Sequence, residues 1–194
     1  MGLFTPIWMT DNILKEEKAI KRVAKMSRQD QLREVALNAP RRAVRLAAVE
    51  RLTDQNALYE IIEATIGSEN TNDSDVCRAA RDKISDQMLL ERLALNPKLS
   101  TPGIVKKLIN QSLLEKFAME EDWHELYPGA GVMSNRNSAI QCAAISKLQS
   151  QDILKKIFFE SADNHVRLAS VKGIIVRKFC MRQRIKIKTR KSGL

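Results

Sequence analysis

Along this chain the apolar and polar positions fall into a figure that returns five times around a glutamine. Gln29, Gln55, Gln87, Gln111 and Gln151 are each followed three residues later by a leucine: Leu32, Leu58, Leu90, Leu114 and Leu154. Three residues before each stands an apolar side chain (Met26, Leu52, Ile84, Leu108, Leu148), and four before each a cation (Lys25, Arg51, Lys83, Lys107, Lys147). Between these marks the apolar residues keep helical spacing. In the second copy Val44, Ala48, Val49 and Leu52 make one stripe of a helix, and Leu58, Ile61 and Ile62 make the stripe of a second, shorter one. Thr53 and Asp54 separate the two and are helix-ending and N-capping types. The stretches 76–94 and 140–158 repeat this plan, and Val166-Arg-Leu-Ala-Ser-Val171 begins a further copy without its glutamine. A single helical pair cannot bury its apolar face alone, so a repeat of this period predicts stacked pairs.

The glutamines are 26, 32, 24 and 40 residues apart. Helices of constant length are expected, with the variation in connecting loops: a polar one at Gly67–Ser74 and a larger insertion between Ala118 and Ile140. Pro40, Pro97 and Pro102 fall where reversals are expected. Three segments follow: residues 1–17 as a cap over the apolar end of the stack, 18–177 as a solenoid, and 178–194 as a basic tail.

Val44-Arg-Leu-Ala-Ala-Val-Glu-Arg-Leu52 and its copies resemble HEAT-like repeats, in the short-unit form common in small bacterial proteins. The resemblance covers roughly residues 18–175. It implies an all-α fold, an α-α superhelix or solenoid of about five helical pairs related in plan to armadillo-like proteins. That family holds protein scaffolds, nucleic-acid binders and a few enzymes, so it implies no single activity. By architecture alone the chain is also similar to the HEAT-like alkylpurine DNA glycosylases, with Asp122-Trp123 as a fragment of the aromatic and acidic residues they present. The His124-Glu125 pair is similar to the metal ligands of HEAT-repeat deoxyhypusine hydroxylases, but it occurs once, in an insertion, which speaks against a diiron centre.

Composition adds limits. The chain has 194 residues, 44% hydrophobic and 29% charged, as in a soluble globular protein, with aromatics at only 5%. No apolar run approaches the roughly 18 residues of a membrane span. Residues 1–9 lack the charged start and cleavage site of a signal peptide. Cys77, Cys142 and Cys180 show no close pairing, so a reduced cytoplasm is expected. The net charge of +10 is concentrated at one end: Lys172–Leu194 carries nine cations and no anion, and the other 171 residues hold 24 cations against 23 anions.

The candidate chemistry is binding rather than catalysis. One cation per unit at a fixed position (Lys25, Arg51, Lys83, Lys107, Lys147) suggests a basic column for a polyanion, or cations that offset helix dipoles. Arg182, Arg184, Lys186, Lys188, Arg190 and Lys191 in the tail fit phosphates, an anionic membrane surface, or solvent alone. The repeated glutamine is expected to hydrogen-bond open backbone groups at the turn between helices. Trp123, His124 and Tyr127 mark the insertion as a partner-binding loop. With two histidines and no metal-ligand spacing, triad or phosphate loop, no metal, cofactor or catalytic residue is expected. A non-catalytic scaffold for a protein partner leads, with nucleic-acid backbone binding as the alternative; the oligomeric state is left open.

Overall fold

The computed structural model describes residues 6–9, 11–66, 71–119 and 134–176, and these are all helical or connecting, with no strand. A short 3-10 turn, Ile7–Met9, precedes α1 (Ile13–Val23), α2 (Gln29–Asn38), α3 (Arg42–Arg51), α4 (Gln55–Thr65), α5 (Thr71–Lys83) and α6 (Gln87–Leu95). Then come α7 (Pro102–Val105), α8 (Gln111–Ala118), α9 (Ser134–Lys147), α10 (Gln151–Glu160) and a helical stretch over 164–176, α11. Every repeat glutamine is therefore the first residue of the second helix in a pair. The chain divides into two compact units, Met1–Leu90 and Glu91–Leu194.

In the first unit α1 packs on α3 and α3 on α5, so first helices contact first helices; α2 packs on α4 in the same way. The cross contacts α2 with α3 and α4 with α5 join the two layers. The leucine of each repeat sits in this interior: Leu32 and Leu58 are fully buried, as are Leu52 and, nearly, Ile84 before the glutamines. In the second unit α9 packs on both α7 and α8, with Leu108, Leu114, Leu148 and Leu154 fully buried. Burying a leucine side chain stabilises by about 1.5–3 kcal/mol, which makes these columns the main apolar contribution of each pair.

The turns between paired helices are extended, and their caps are local. Asp54 accepts from the amides of Asn56 and Ala57 at 2.9 and 3.2 Å, and Asp86 from Leu89 at 3.0 Å. Asn110 and Ser150 do the same for Leu113 and Ile153. Arg28 stands at the corresponding position of the first pair without a side-chain cap, and pairs with Asp30 at 2.6 Å instead.

The repeat glutamine reaches further than its own turn. Gln29 Oε1 accepts from the backbone amides of Thr53 and Asp54, at 2.8 and 3.1 Å, in the turn of the following pair. Gln55 Oε1 accepts in the same way from Ser85 and Asp86, at 2.8 and 3.2 Å. In the second unit Gln111 Oε1 accepts from Gln149 at 2.9 Å. The amide nitrogens of Gln55 and Gln111 turn back to their own turns, donating to the carbonyls of Thr53 and Ile109. Turn hydrogen bonding was expected of these glutamines; its direction, from one pair to the next, was not.

The opposite edge of the first-helix layer is joined by charge. Arg41, just before α3, donates to Glu16 of α1 at 2.9 and 2.7 Å. Arg42 and Arg45 of α3 pair with Asp75 and Asp73 of α5, and Arg45 is only 9% exposed. These pairs correct one expectation. Gly67–Ser74 is not all loop, because α5 begins at Thr71; Asp73 lies in its first turn, where a carboxylate suits the helix dipole and meets the α3 arginine. Helix length is not constant either. α7 is a single turn, opened by Pro102 at a position where a missing amide costs nothing and capped by Thr101, after a turn at Asn96–Leu99 has used up the chain. The 24-residue spacing before Gln111 reflects that shortened helix, not a shorter loop.

Two outcomes follow. Gln55→Ala should lower unfolding free energy by about 1–2 kcal/mol, shifting the urea midpoint at constant m-value, while Gln55→Glu, which keeps the acceptor, should lose less than about half of that. Asp73→Asn should cost about 3 kcal/mol by leaving Arg45 buried without its counter-charge, whereas Arg45→Met with Asp73→Leu should recover most of it in the same titration.

Candidate functional site

The predicted repeat cations fall in different surroundings. Arg51 Nη2 donates to the carbonyl of Met26 at 3.3 Å, and Lys83 Nζ to the carbonyl of Glu50 at 2.6 Å. Lys83 thus reaches back to the C-terminal end of α3, where carbonyls have no intrahelical donor and the dipole favours positive charge, and Arg51 to the turn that follows α1. Lys107 is half-buried at the turn after α7. Lys147 ends α9 exposed, its carbonyl accepting from Gln111 Nε2 at 3.5 Å. Lys25 differs: α1 is the first helix of the first pair, and among the described residues Lys25 has no polar partner. The tail candidates Arg182, Arg184, Lys186, Lys188, Arg190 and Lys191 and the loop candidates Trp123, His124 and Tyr127 lie outside the described residues.

What the structure gathers around Lys25 is a groove of about 780 Å³ between the N-terminal 3-10 turn, α1 and α2. Lys18, Lys21, Arg22 and Lys25 form its basic side, Pro6, Ile7, Trp8 and Met26 its apolar floor, and Gln31 and Glu34 of α2 its far wall. Lys18, Lys21 and Arg22 follow i, i+3 and i+4 spacing and so share one face of α1, and Lys25 adds a fourth cation from the turn just after it. All four are exposed. Lys21 pairs with Glu17 at 2.6 Å on the surface, which pulls the Glu17 carboxyl below its ordinary value; Lys18, Arg22 and Lys25 have no partner among the described residues. Trp8 is 8% exposed, so its ring supports the floor rather than offering a face to solvent. The spacing of Lys18, Lys21 and Arg22 was visible in the sequence, but comparing equivalent positions across copies picked out only Lys25.

A second hollow of about 340 Å³ lies beside Glu16, Pro40, Arg41 and Arg42. Its charges are already committed to the ion pairs along the first-helix layer.

In the second unit Ser138, Cys142, Asp163 and Lys172 come together. The Asp163 carboxyl is held below the usual carboxylate range by the Ser138 hydroxyl, and also by the amides of His165 and Val166, which it caps at 2.6 and 3.4 Å. Cys142 is pushed up, first by burial and then by the Asp163 charge, with Lys172 acting the other way. A thiol raised in this manner is a poor nucleophile, and the carboxylate is spent on the start of α11. Among the described residues no group of three or more His, Cys, Asp or Glu is placed to hold a metal ion, and no helix is long and apolar enough to cross a membrane. The fold and its surface define an all-α protein of helical pairs with a basic groove at one end of the first unit. No family model, curated protein or solved structure matches the chain.

Because the Asp163 carboxyl is lowered in the folded state, its contribution is present above the unfolded value and is lost as pH falls through the folded one. Asp163→Ala should therefore speed amide exchange in the first turn of α11 at neutral pH, at a cost of about 1 kcal/mol, and the difference from wild type should vanish in acid below the ordinary carboxylate range.

Proposed function

We propose that this chain is a non-catalytic repeat scaffold, an α-α superhelix of HEAT-like pairs that holds a protein partner on its concave face and insertion loops. The observation that carries this reading is the recurring bond from a pair's glutamine to the next pair's turn, at Gln29, Gln55 and Gln111. Helices whose register is fixed in this way give a partner that contacts several of them one pre-arranged surface, so little ordering cost is left for the moment of binding. Exposed apolar side chains on the helices, such as Met88 and Phe159, supply contact area for protein surfaces.

Nucleic-acid binding through the basic column and tail is the second reading, and the unpartnered cations of α1 favour keeping it in view. Arg51 and Lys83 each commit a donor to the backbone, which leaves less of the column for phosphates. The deciding experiment is titration of the full chain and of a form ending at residue 177 with duplex DNA, single strands and RNA across a salt series. The scaffold reading expects weak binding, alike for both forms, with a shallow salt dependence. A tail-dependent affinity with a log–log salt slope steeper than about −4 would replace it with phosphate-backbone binding.

A further inference from the structure

We infer that the groove between the N-terminal turn, α1 and α2 is a docking site for an acidic peptide segment that carries an apolar anchor; this deepens the scaffold reading and rests on it. Arg51 and Lys83 reach back to a carbonyl of the pair before them. Lys25 holds the same position in the first pair. There it lines the groove with Lys18, Lys21 and Arg22, all four exposed.

The chemistry of the lining selects the occupant. A row of cations matches carboxylates on alternate residues of an extended strand, which lie about 6.6 Å apart, better than it matches one compact anion. The floor of Ile7, Trp8 and Met26 contributes nothing to a sugar-phosphate backbone but covers an apolar side chain placed between the acids. Among the described residues that line the groove the one aromatic is Trp8, and it is almost covered, which disfavours base stacking. Gln31 on the far wall has both a donor and an acceptor for a peptide backbone. Charge complementarity of this kind sets choice of partner and on-rate, while the apolar anchor sets residence time.

The test uses the full chain with Trp123→Phe, so that Trp8 is the sole tryptophan. The probes are a short fluorescein-labelled peptide with alternate glutamates and a central leucine, the same peptide with serine for leucine, and a short duplex DNA. Anisotropy should show the leucine peptide binding about tenfold more tightly than the serine peptide, with a change in Trp8 emission. Lys18→Glu with Arg22→Glu should weaken it at least about tenfold, and thermal melts should leave these surface variants folded. Equal affinity for the charge-reversed form would overturn the inference. So would equal binding of both peptides and duplex with unchanged Trp8 emission, the mark of a general polyanion surface. Peptides selected by display that bind the chain and ignore the charge reversal would defeat the groove while leaving the scaffold standing. Duplex binding without any peptide binding would defeat both.

Discussion

The hydrogen bond on which the rest depends is the one from a turn's backbone amides to the glutamine carbonyl of the preceding pair. Extended turns between two helices leave N–H groups that neither helix can take, and the ends of the first helices leave carbonyls in the same condition. Both shortages are met by the neighbour. Gln29 accepts from Thr53 and Asp54 while Arg51 donates back to Met26; Gln55 accepts from Ser85 and Asp86 while Lys83 donates back to Glu50. A pair is thus incomplete in its polar groups as well as in its apolar face, and the two kinds of incompleteness fix the same register. Ion pairs at the other edge of α1, α3 and α5 hold that layer from the opposite side.

At Arg51 and Lys83 the repeat cation is a structural donor to the pair before it. At Lys25 the same position holds an exposed charge, and with Lys18, Lys21 and Arg22 it lines the basic groove of the first unit. The shifted groups of the second unit, Asp163 and Cys142, are explained by a helix cap and by burial.

Much of this was legible in the residues, for a physical reason. Helix pairs, buried leucines and N-capping residues are local consequences of spacing, and Asp54, Asn110 and Ser150 cap where their types suggest. The partner of each glutamine was not legible, because Thr53 and Ser85 lie more than twenty residues beyond it and only stacking brings them near. The start of α5 was hidden because its first turn is polar for the sake of Arg42 and Arg45, a contact across helices. The shortness of α7 was hidden because the repeat marks around Lys107 and Gln111 survive although the helix before them does not. Aligning copies favours what recurs, so the groove cations, which occur once, were passed over.

The most direct test is native-state amide hydrogen exchange, resolved by residue. The amides of Thr53, Ser85 and Gln149 sit in exposed turns, yet each donates to a glutamine of the pair before it. They should exchange slowly, with opening free energies close to those of the helices they join. Exchange of Ser85 and Gln149 at the rate of an unbonded turn amide would contradict the account, leaving apolar packing alone to set the register.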